Sequence, residues 1–379
     1  MDELTPLLQA WRVMRVGTRE VVDALVLPDH RGSSPALRAV LDRWTGRWYW
    51  ADEDESRLVL IRPLAGAHRH RWLLHGALLL LTVVCALGAG AALAGVWFPY
   101  VPPGFSGALR GAGGFFAGLV TGDWRIMLTG WSFALPLLGI LLVHELGHYL
   151  AARRYEIDTT LPFFLPVPPT LSPIGSLGAF IKLRSAVLDR RQLLDVGAAG
   201  PIAGFVVALA VLFWGYHTSD ITTVAPAGAG TTWVAFAGQP IGLGDSLLTH
   251  WIREWALPEG GVVHLSLPAF AGWVGAFITG LNLLPLSQLD GGHILYGILG
   301  RHQRIVAAIG VAGLLVLAQR SPSWYLWVVM TFVIGGGRWS HPSVLIPDRP
   351  VPSSRRWIGL LSVVIFALTF VPLPFVVQP

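Results

Sequence analysis

Three polar residues that could bind a metal ion and a water lie within little more than one turn of a predicted apolar helix. The stretch LLVHELGHYLAARR places His144, Glu145 and His148 directly after the apolar run FALPLLGILLV. Residues four apart share one face of a helix, so the two imidazoles can bind one ion while Glu145 reaches a water on it. A pair of packed or hydrogen-bonded histidines is the alternative. Because isolated polar groups in a membrane core are costly and usually mark function, the position favours the metal.

Two histidines supply half of a zinc site, and a catalytic zinc normally takes a third protein ligand. Asp290 is our candidate, because it ends a long apolar segment in LNLLPLSQLDGGHILYGILG. Pro285 should interrupt the helix before it, and Gly291 and Gly292 should release the backbone after it, so that the carboxylate can turn toward a metal. Broken backbone at membrane depth is tolerated where it lines a cavity. The alternative is an aspartate that caps a loop at the membrane surface.

The elements that position these residues are predicted to be membrane helices. Hydrophobic residues make up 53% of the 379 residues and charged ones 13%, which is too apolar for an ordinary soluble protein. Two short helices, over 304–319 and 323–337, should form a tight pair. Five stretches are long enough to span a hydrocarbon core: 72–98, 131–152, 194–216, 265–286 and 356–376.

The arginines predict the orientation of these spans. Arginine pairs bracket the ends of several spans, so the positive-inside rule places these ends and the N-terminus in the cytoplasm, with the HELGH end near that face. Arg110 and Arg125 break the pattern, because they fall in a loop that is otherwise expected to be external. The arginines form no basic stripe that would indicate nucleic acid. Lys182 is the only lysine among 27 basic residues, which suggests a GC-rich bacterial genome and the inner membrane. The bracketing pairs are Arg153 and Arg154, Arg190 and Arg191, and Arg355 and Arg356.

Residues 1–70 are predicted to form a small soluble cytoplasmic domain, because charges alternate there and no long apolar run occurs. The segment RWTGRWYWADEDESRLVLIRPL predicts a strand, an acidic turn and a second strand. The start lacks the pattern of a cleaved signal peptide. A regulatory partner could bind this domain, although an ordinary small fold is the simpler interpretation. The single cysteine, Cys85, excludes a disulfide framework and a cysteine-based zinc site within one chain.

With both motifs in view, the chain resembles the site-2 proteases, membrane-embedded zinc metalloproteases that cut substrates within or beside the bilayer. The resemblance covers roughly 131–300 and rests on HELGH, NLLPLSQLDGG, GSLGAFIKLRS and GAAGPIAGF. It implies one zinc ion per chain, with transmembrane proteins as substrates. It further implies that His144, His148 and Asp290 are the metal ligands and Glu145 the catalytic base. The segment 217–263 is too short for the PDZ domain of some relatives, which indicates the PDZ-free branch.

The connecting segments suggest where a substrate binds. Leu177, Ala179, Ile181 and Leu183 alternate with the other residues of 175–185, as in a strand. An edge strand there could hold an unwound substrate through Gly178 and Phe180, or the strand could belong to a structural hairpin. On the third core helix, Gly197, Gly200 and Gly204 share one face and permit close approach of a helix or substrate. Asn282 could donate to the oxyanion or cap the broken backbone, and His293 is predicted to lie at the membrane interface.

We therefore expect an α-helical polytopic membrane protein with about six or seven transmembrane helices. A short membrane-associated β region and the N-terminal domain complete it, and residues 71–379 form the protease domain. A metal transporter would instead show polar residues along a path through several helices. A catalytically idle scaffold would be expected to lack Glu145 or one metal ligand, and neither is lost.

Overall fold

The structure is a computed structural model in which helices predominate and the sheets are small. Residue 98 at the end of the first predicted span, residues 64–70 at the end of the N-terminal segment and part of the segment 217–263 lie outside the described residues. The described residues are 3–16, 19–32, 34–63, 71–97, 105–122, 124–222, 224, 226, 230–256, 261–339, 341, 344, 346–347 and 350–376.

The N-terminal segment contains an antiparallel sheet with a hydrophobic cluster of its own. Its strand order is β1-β2-β4-β3, and one helix covers the face that carries Val22, Leu58 and Leu60. The predicted strand, acidic turn and strand are confirmed as the β3–β4 hairpin. The elements are β1 (Leu8–Val16), β2 (Arg19–Val26), α1 (Pro35–Leu41), β3 (Arg47–Trp50) and β4 (Arg57–Pro63).

Helices dominate the described residues from 71 onward. Their order follows the apolar segments of the sequence, and Pro136 and Pro201 are accommodated inside two long helices. The helices are α2 (Trp72–Leu93), α3 (Phe105–Thr121), α4 (Trp131–Arg154), α5 (Arg190–His217), α6 (Leu247–Ala256), α7 (Leu267–Asn282), α8 (Asp290–Leu299), α9 (Gln303–Ala318), α10 (Ser323–Ile334) and α11 (Ser354–Thr369).

Four helical stretches among the described residues are long and apolar enough to cross a membrane. Two further predicted spans, 265–286 and 356–376, are represented by α7 and α11, which have 16 residues each. Sixteen residues extend about 24 Å, less than the roughly 30 Å of a hydrocarbon core. The prediction of six or seven spans therefore stays a prediction. The four stretches are Trp72–Leu93, Trp124–Arg154, Arg190–His217 and Asp290–Ala318.

Helix α3 has no counterpart in our predictions. Its sequence, FSGALRGAGGFFAGLVT, holds five glycines, which have low helix propensity, together with Arg110. The segment was expected to be an external loop because its apolar residues do not form a continuous run. A helix is predicted for this segment only if glycines are allowed at helical positions.

Close packing of α4, α5 and α7 forms the core that holds the site. A side chain at Gly272 would collide with the α5 backbone at Leu212, and one at Gly275 would meet Ile140 of α4. Small residues at these crossings let the helices approach each other closely, which is how membrane helices commonly associate. Large apolar side chains such as Phe133 and Trp273 fill the space beside them.

Two small sheets lie outside the helical core. One is the hairpin of β5 and β6, between α4 and α5. The other has five strands in the order β11-β9-β8-β10-β7 and is built from the segment between α5 and α7 plus the last described residues. The strands are β5 (Phe163–Pro166), β6 (Ser176–Phe180), β7 (Asp220–Thr222), β8 (Thr232–Phe236), β9 (Gln239–Leu243), β10 (Val262–His264) and β11 (Phe375–Val376).

Candidate functional site

Helix α4 carries the first three site residues on its buried side. His144, Glu145 and His148 are 4%, 5% and 6% exposed. The two imidazoles face α5, where a side chain at Gly204 would come within 3.0 Å of His144 and one at Gly200 within 2.1 Å of His148 Nε2. The predicted close approach at these glycines is therefore present, and it is made by the histidine rings of α4.

Asp290 is positioned differently from the expectation. Helix α7 ends at Asn282, and Asp290 is the first residue of a new helix, α8. Gly291 and Gly292 do not release the backbone; they lie in the first turn of α8. A Cβ at Gly291 would stand 2.0 Å from the carbonyl oxygen of Leu283, and one at Gly292 would stand 2.2 Å from that of Ser287. The glycines are thus needed because the preceding loop folds back against the start of α8.

The three expected metal ligands converge on one point. Oδ2 of Asp290 lies 3.2 Å from Nε2 of His144, and its Oδ1 lies 3.3 Å from Nε2 of His148. The two Nε2 atoms are 3.1 Å apart. The Nδ1 atom of His148 lies 2.7 Å from the carbonyl oxygen of Val196, to which it can donate, and this contact leaves Nε2 free as a ligand.

This donor set suits a zinc ion. At ligand distances of about 2.0–2.2 Å, neighbouring ligand atoms of a tetrahedral zinc site lie roughly 3.3 Å apart, close to the separations measured here. The two buried imidazole nitrogens and the carboxylate all point at one another. Such an arrangement also requires a cation or protons between the groups. Among the described residues, His144, His148 and Asp290 are the one group of this kind.

We expect Gly200→Ala to weaken metal binding. Alanine favours a helix more than glycine does, so the change should not disturb α5 itself, but its Cβ would displace the imidazole of His148. A loss of zinc affinity on the order of 10–100-fold would match the usual cost of disturbing the surroundings of a ligand. The measurement is competitive zinc titration. Gly139→Ala, on α4 with open space at its Cβ, is the matched control and should bind zinc normally.

The β5–β6 hairpin lies beside Glu145. The backbone amide of Ile181, directly after β6, is close enough to the Glu145 carboxylate to interact with it. Phe180 is exposed on β6, and its ring stacks on Phe163 of β5 at 5.4 Å. His75 of α2 supports the hairpin from behind, with its ring 4.1 Å from that of Phe163 and its Nδ1 3.1 Å from the carbonyl oxygen of Pro162.

The predicted strand over 175–185 is shorter in the structure. β6 ends at Phe180, and the alternation is broken because Gly178 has a positive φ of 99°, a conformation that favours glycine. Further along, only an isolated bridge between Thr159 and Leu183 continues the pairing. The part of the segment that remains a strand is the part that leads to Glu145.

Two other predicted residues lie close to the metal ligands. The Nδ2 atom of Asn282 is 3.3 Å from Nε2 of His144. His293, which was predicted to lie at the membrane interface, is half buried: its Nδ1 lies 2.7 Å from Nε2 of His341, and a Cβ at Gly197 would be 2.8 Å from its own Cβ. Gly197 and Asp290 are close in space, so this histidine pair belongs to the wall of the site.

Sequence reasoning did not identify the contacts that lock the helix ends near the site. Tyr155, just after α4, donates its hydroxyl to Asp195 of α5, and Nε of Arg355 on α11 lies 2.9 Å from the same carboxylate. His75 was missed as well. The sequence offers one indication of a role for His75, because it is the one histidine inside the first apolar span. Its partners Pro162 and Phe163 are about ninety residues away, and the sequence does not indicate them.

Comparison with known proteins agrees with the geometry. Residues 132–317, which include the three expected metal ligands, match Peptidase family M50. The chain is similar to "Probable zinc metalloprotease EGY2, chloroplastic" of Arabidopsis thaliana, with 32% identity over 66% of this chain and 43% of that protein. The protein of that name from Oryza sativa subsp. japonica is 31% identical over 65% of this chain and 43% of its own length.

A third relative is "Probable zinc metalloprotease EGY1, chloroplastic" of Arabidopsis thaliana, with 31% identity over 55% of this chain and 38% of that protein. The chain thus spans about two fifths of the length of these relatives. No solved structure matches it. Given the match and the site within it, the chain carries a domain of peptidase family M50, the family of the site-2 proteases, over residues 132–317.

Proposed function

We propose that this chain is an intramembrane zinc metalloprotease that cuts transmembrane proteins within or next to the bilayer. The observation that carries the proposal is the convergence of His144, His148 and Asp290 at 3.1–3.3 Å, with Glu145 beside them on α4. The relatives, which are named as probable zinc metalloproteases, support the same chemistry.

His144 and His148 would hold the ion through Nε2, and Asp290 would hold it through its carboxylate. When bound, zinc supplies a Lewis acid that lowers the pKa of a water to roughly 7 and polarises a carbonyl. The two histidines are buried and Asp290 is partly buried, which limits contact with bulk water and so strengthens charge interactions inside the site. Two imidazoles and one carboxylate leave the ion with a single positive charge to be balanced by the reacting groups.

Glu145 would act as the base. It is buried and is not part of the converging ligand set, so its carboxylate is available to take a proton from a water and pass it to the leaving amine. The backbone amide of Ile181, close to this carboxylate, would fix its orientation relative to the hairpin. Asn282, next to His144, would donate from its amide to the oxygen of the attacked carbonyl.

The substrate would bind as an extended strand along β6. A two-stranded sheet has free edges, and an unwound peptide can add to one of them by backbone hydrogen bonds. Gly178, whose Cβ position is open, allows close backbone approach, and exposed Phe180 offers an apolar contact. Gly200 would contribute indirectly, through the room that it gives to His148.

A metal transporter is less well supported by the described part of the chain. Transport would need metal-ligating residues along a path through several helices, and a single three-ligand group is found there. The presence of Glu145 at that group also argues for chemistry on a bound water rather than passage of the ion.

We further propose that the membrane is the bacterial inner membrane, with the N-terminus in the cytoplasm; the relatives named above are chloroplastic by name. Single cysteines introduced into residues 1–70 and 155–193 should then be labelled only from the cytoplasmic side, and those in 217–263 only from the other side. Labelling of 155–193 from outside the cell would contradict this orientation. Cys85, which is buried, gives little background.

Residues 1–70 would form a cytoplasmic domain that accepts a regulatory partner. Its hydrophobic cluster is separate from those of the helical core. The backbone N–H of Ala186 donates to the carbonyl oxygen of Arg15 at 2.6 Å, which ties β1 to the segment between β6 and α5. A conformational change in this sheet would therefore alter the segment next to the hairpin that is proposed to hold the substrate.

The proposed function is tested by looking for the substrates. Membrane proteins from cells with the wild type and with Glu145→Gln are compared by mass spectrometry. We expect one or more single-span proteins to accumulate uncut in the mutant, with the matching fragments seen only in the wild type. Identical fragment sets in the two strains would argue against a protease.

A further inference from the structure

Helix α6 has an apolar stripe that the described part of the chain leaves largely exposed. Leu247, Trp251 and Trp255 recur every four residues on one face of the helix and are 49%, 57% and 79% exposed. An exposed stripe of this kind on a helix marks a surface that contacts a partner or a lipid.

The face of α6 that points toward the core is already occupied. Leu248 and Ile252 are buried in the same cluster as the ends of α5 and α7. Arg253 forms an ion pair with Asp245 at 3.2 Å, and the N–H of Ser246 donates to the hydroxyl of Thr249 at 2.8 Å. The helix is therefore fixed to the core, and its exposed stripe has a fixed direction.

The stripe continues the outer surface of a membrane helix. The ring of Trp255 packs edge-on against Phe213 of α5 at 6.2 Å, and the neighbouring Trp214 is half exposed. These residues lie at the end of the Arg190–His217 span. Because the outward surface of a span faces lipid, the surface continuous with it meets the layer where lipid headgroups begin.

The chemistry of the residues fits that layer. Tryptophan is enriched at membrane–water interfaces because its ring is apolar and its N–H is polar. His250 and Glu254 are exposed on the adjacent side of the same helix, where they can face water or headgroups. An apolar side next to a polar side is typical of a helix that lies in the interface plane.

We propose that α6 is an interfacial membrane anchor whose occupant is the headgroup region of the lipid bilayer. It lies at the end of α5 remote from the metal ligands, since the rise from Gly200 to His217 is about 25 Å along a helix. By binding one interface it fixes the depth of α5, and therefore of the site, in the bilayer. This inference does not depend on proteolysis.

Spin labels on single cysteines test the anchor. In a Cys85→Ala background, labels are attached to Trp251→Cys and, on the adjacent polar side, to Glu254→Cys, and the full chain is reconstituted in liposomes of phosphatidylethanolamine and phosphatidylglycerol. Oxygen concentrates in lipid and a nickel chelate in water. We expect the ratio of oxygen to nickel accessibility to be clearly higher at 251 than at 254. Leu247→Cys reports on the same stripe without removing a tryptophan.

Two outcomes would overturn the proposal. High nickel accessibility at 247 and 251, equal to that at 254, would show that the stripe faces water. Low accessibility to both reagents at 247 and 251 would show that another protein, or a second copy of this chain, covers the stripe instead of lipid.

Discussion

Glu145→Gln should keep its zinc and lose its peptidase activity. The amide is nearly the same size as the carboxylate and Glu145 is not one of the converging ligands, so the ion should remain bound. The amide cannot take a proton from a water or pass it to the leaving amine. Proton transfer by a positioned side chain is worth ~10²–10⁴-fold in rate, and we expect a loss of that size in kcat.

The measurement combines elemental analysis with a cleavage assay on the same preparation. Glu156→Gln is a suitable control, because Glu156 is exposed just after the end of α4 and should leave both zinc and activity unchanged. Undiminished cleavage by Glu145→Gln would contradict the assignment of the base. Loss of zinc in this variant would instead mean that Glu145 is itself a ligand.

Asp290→Ala should remove the metal. Each of its carboxylate oxygens faces one histidine, so its loss deprives the site of one ligand and of its negative charge. Two neutral imidazoles in a buried site hold a dication poorly. We expect zinc affinity to fall by more than the roughly 10–100-fold that is typical when a residue outside the ligand set is changed.

Elemental analysis of the purified variants checks this expectation against about one zinc per chain in the wild type. His148→Ala should behave as Asp290→Ala does. His302→Ala also removes an imidazole, but from an exposed position, and should retain zinc. An unchanged zinc content in Asp290→Ala would show that the third ligand is a different residue.

The grouping of His144, His148 and Asp290 could be predicted from the sequence because it depends on local rules. The spacing of His144 and His148 fixes a common helix face, and the cost of polar groups in an apolar span makes accidental occurrence improbable. Asp290 was identified by its place at the end of an apolar segment. The backbone around Asp290 was predicted wrongly. Gly291 and Gly292 are needed because the carbonyl oxygens of Leu283 and Ser287 lie against the start of α8, and only the folded loop brings these residues together.

Long-range contacts account for what the sequence did not predict. His75 touches the hairpin across about ninety residues, and Arg355 reaches Asp195 across 160. The last strand, β11, joins a sheet whose other members come from the segment between α5 and α7. Such pairings follow from how the helices pack, and periodicity within one segment carries no information about them.

Zinc-dependent proteolysis in the membrane is tested most directly by a cleavage assay in a defined bilayer. Purified wild type is reconstituted in sealed liposomes with a single-span protein that accumulates uncut in the Glu145→Gln strain, and fragments are followed with a zinc chelator, without it, and after zinc is restored. We expect fragments that disappear with the chelator and return with zinc. Uptake of zinc into the liposomes with no cleavage of such a protein would contradict this expectation.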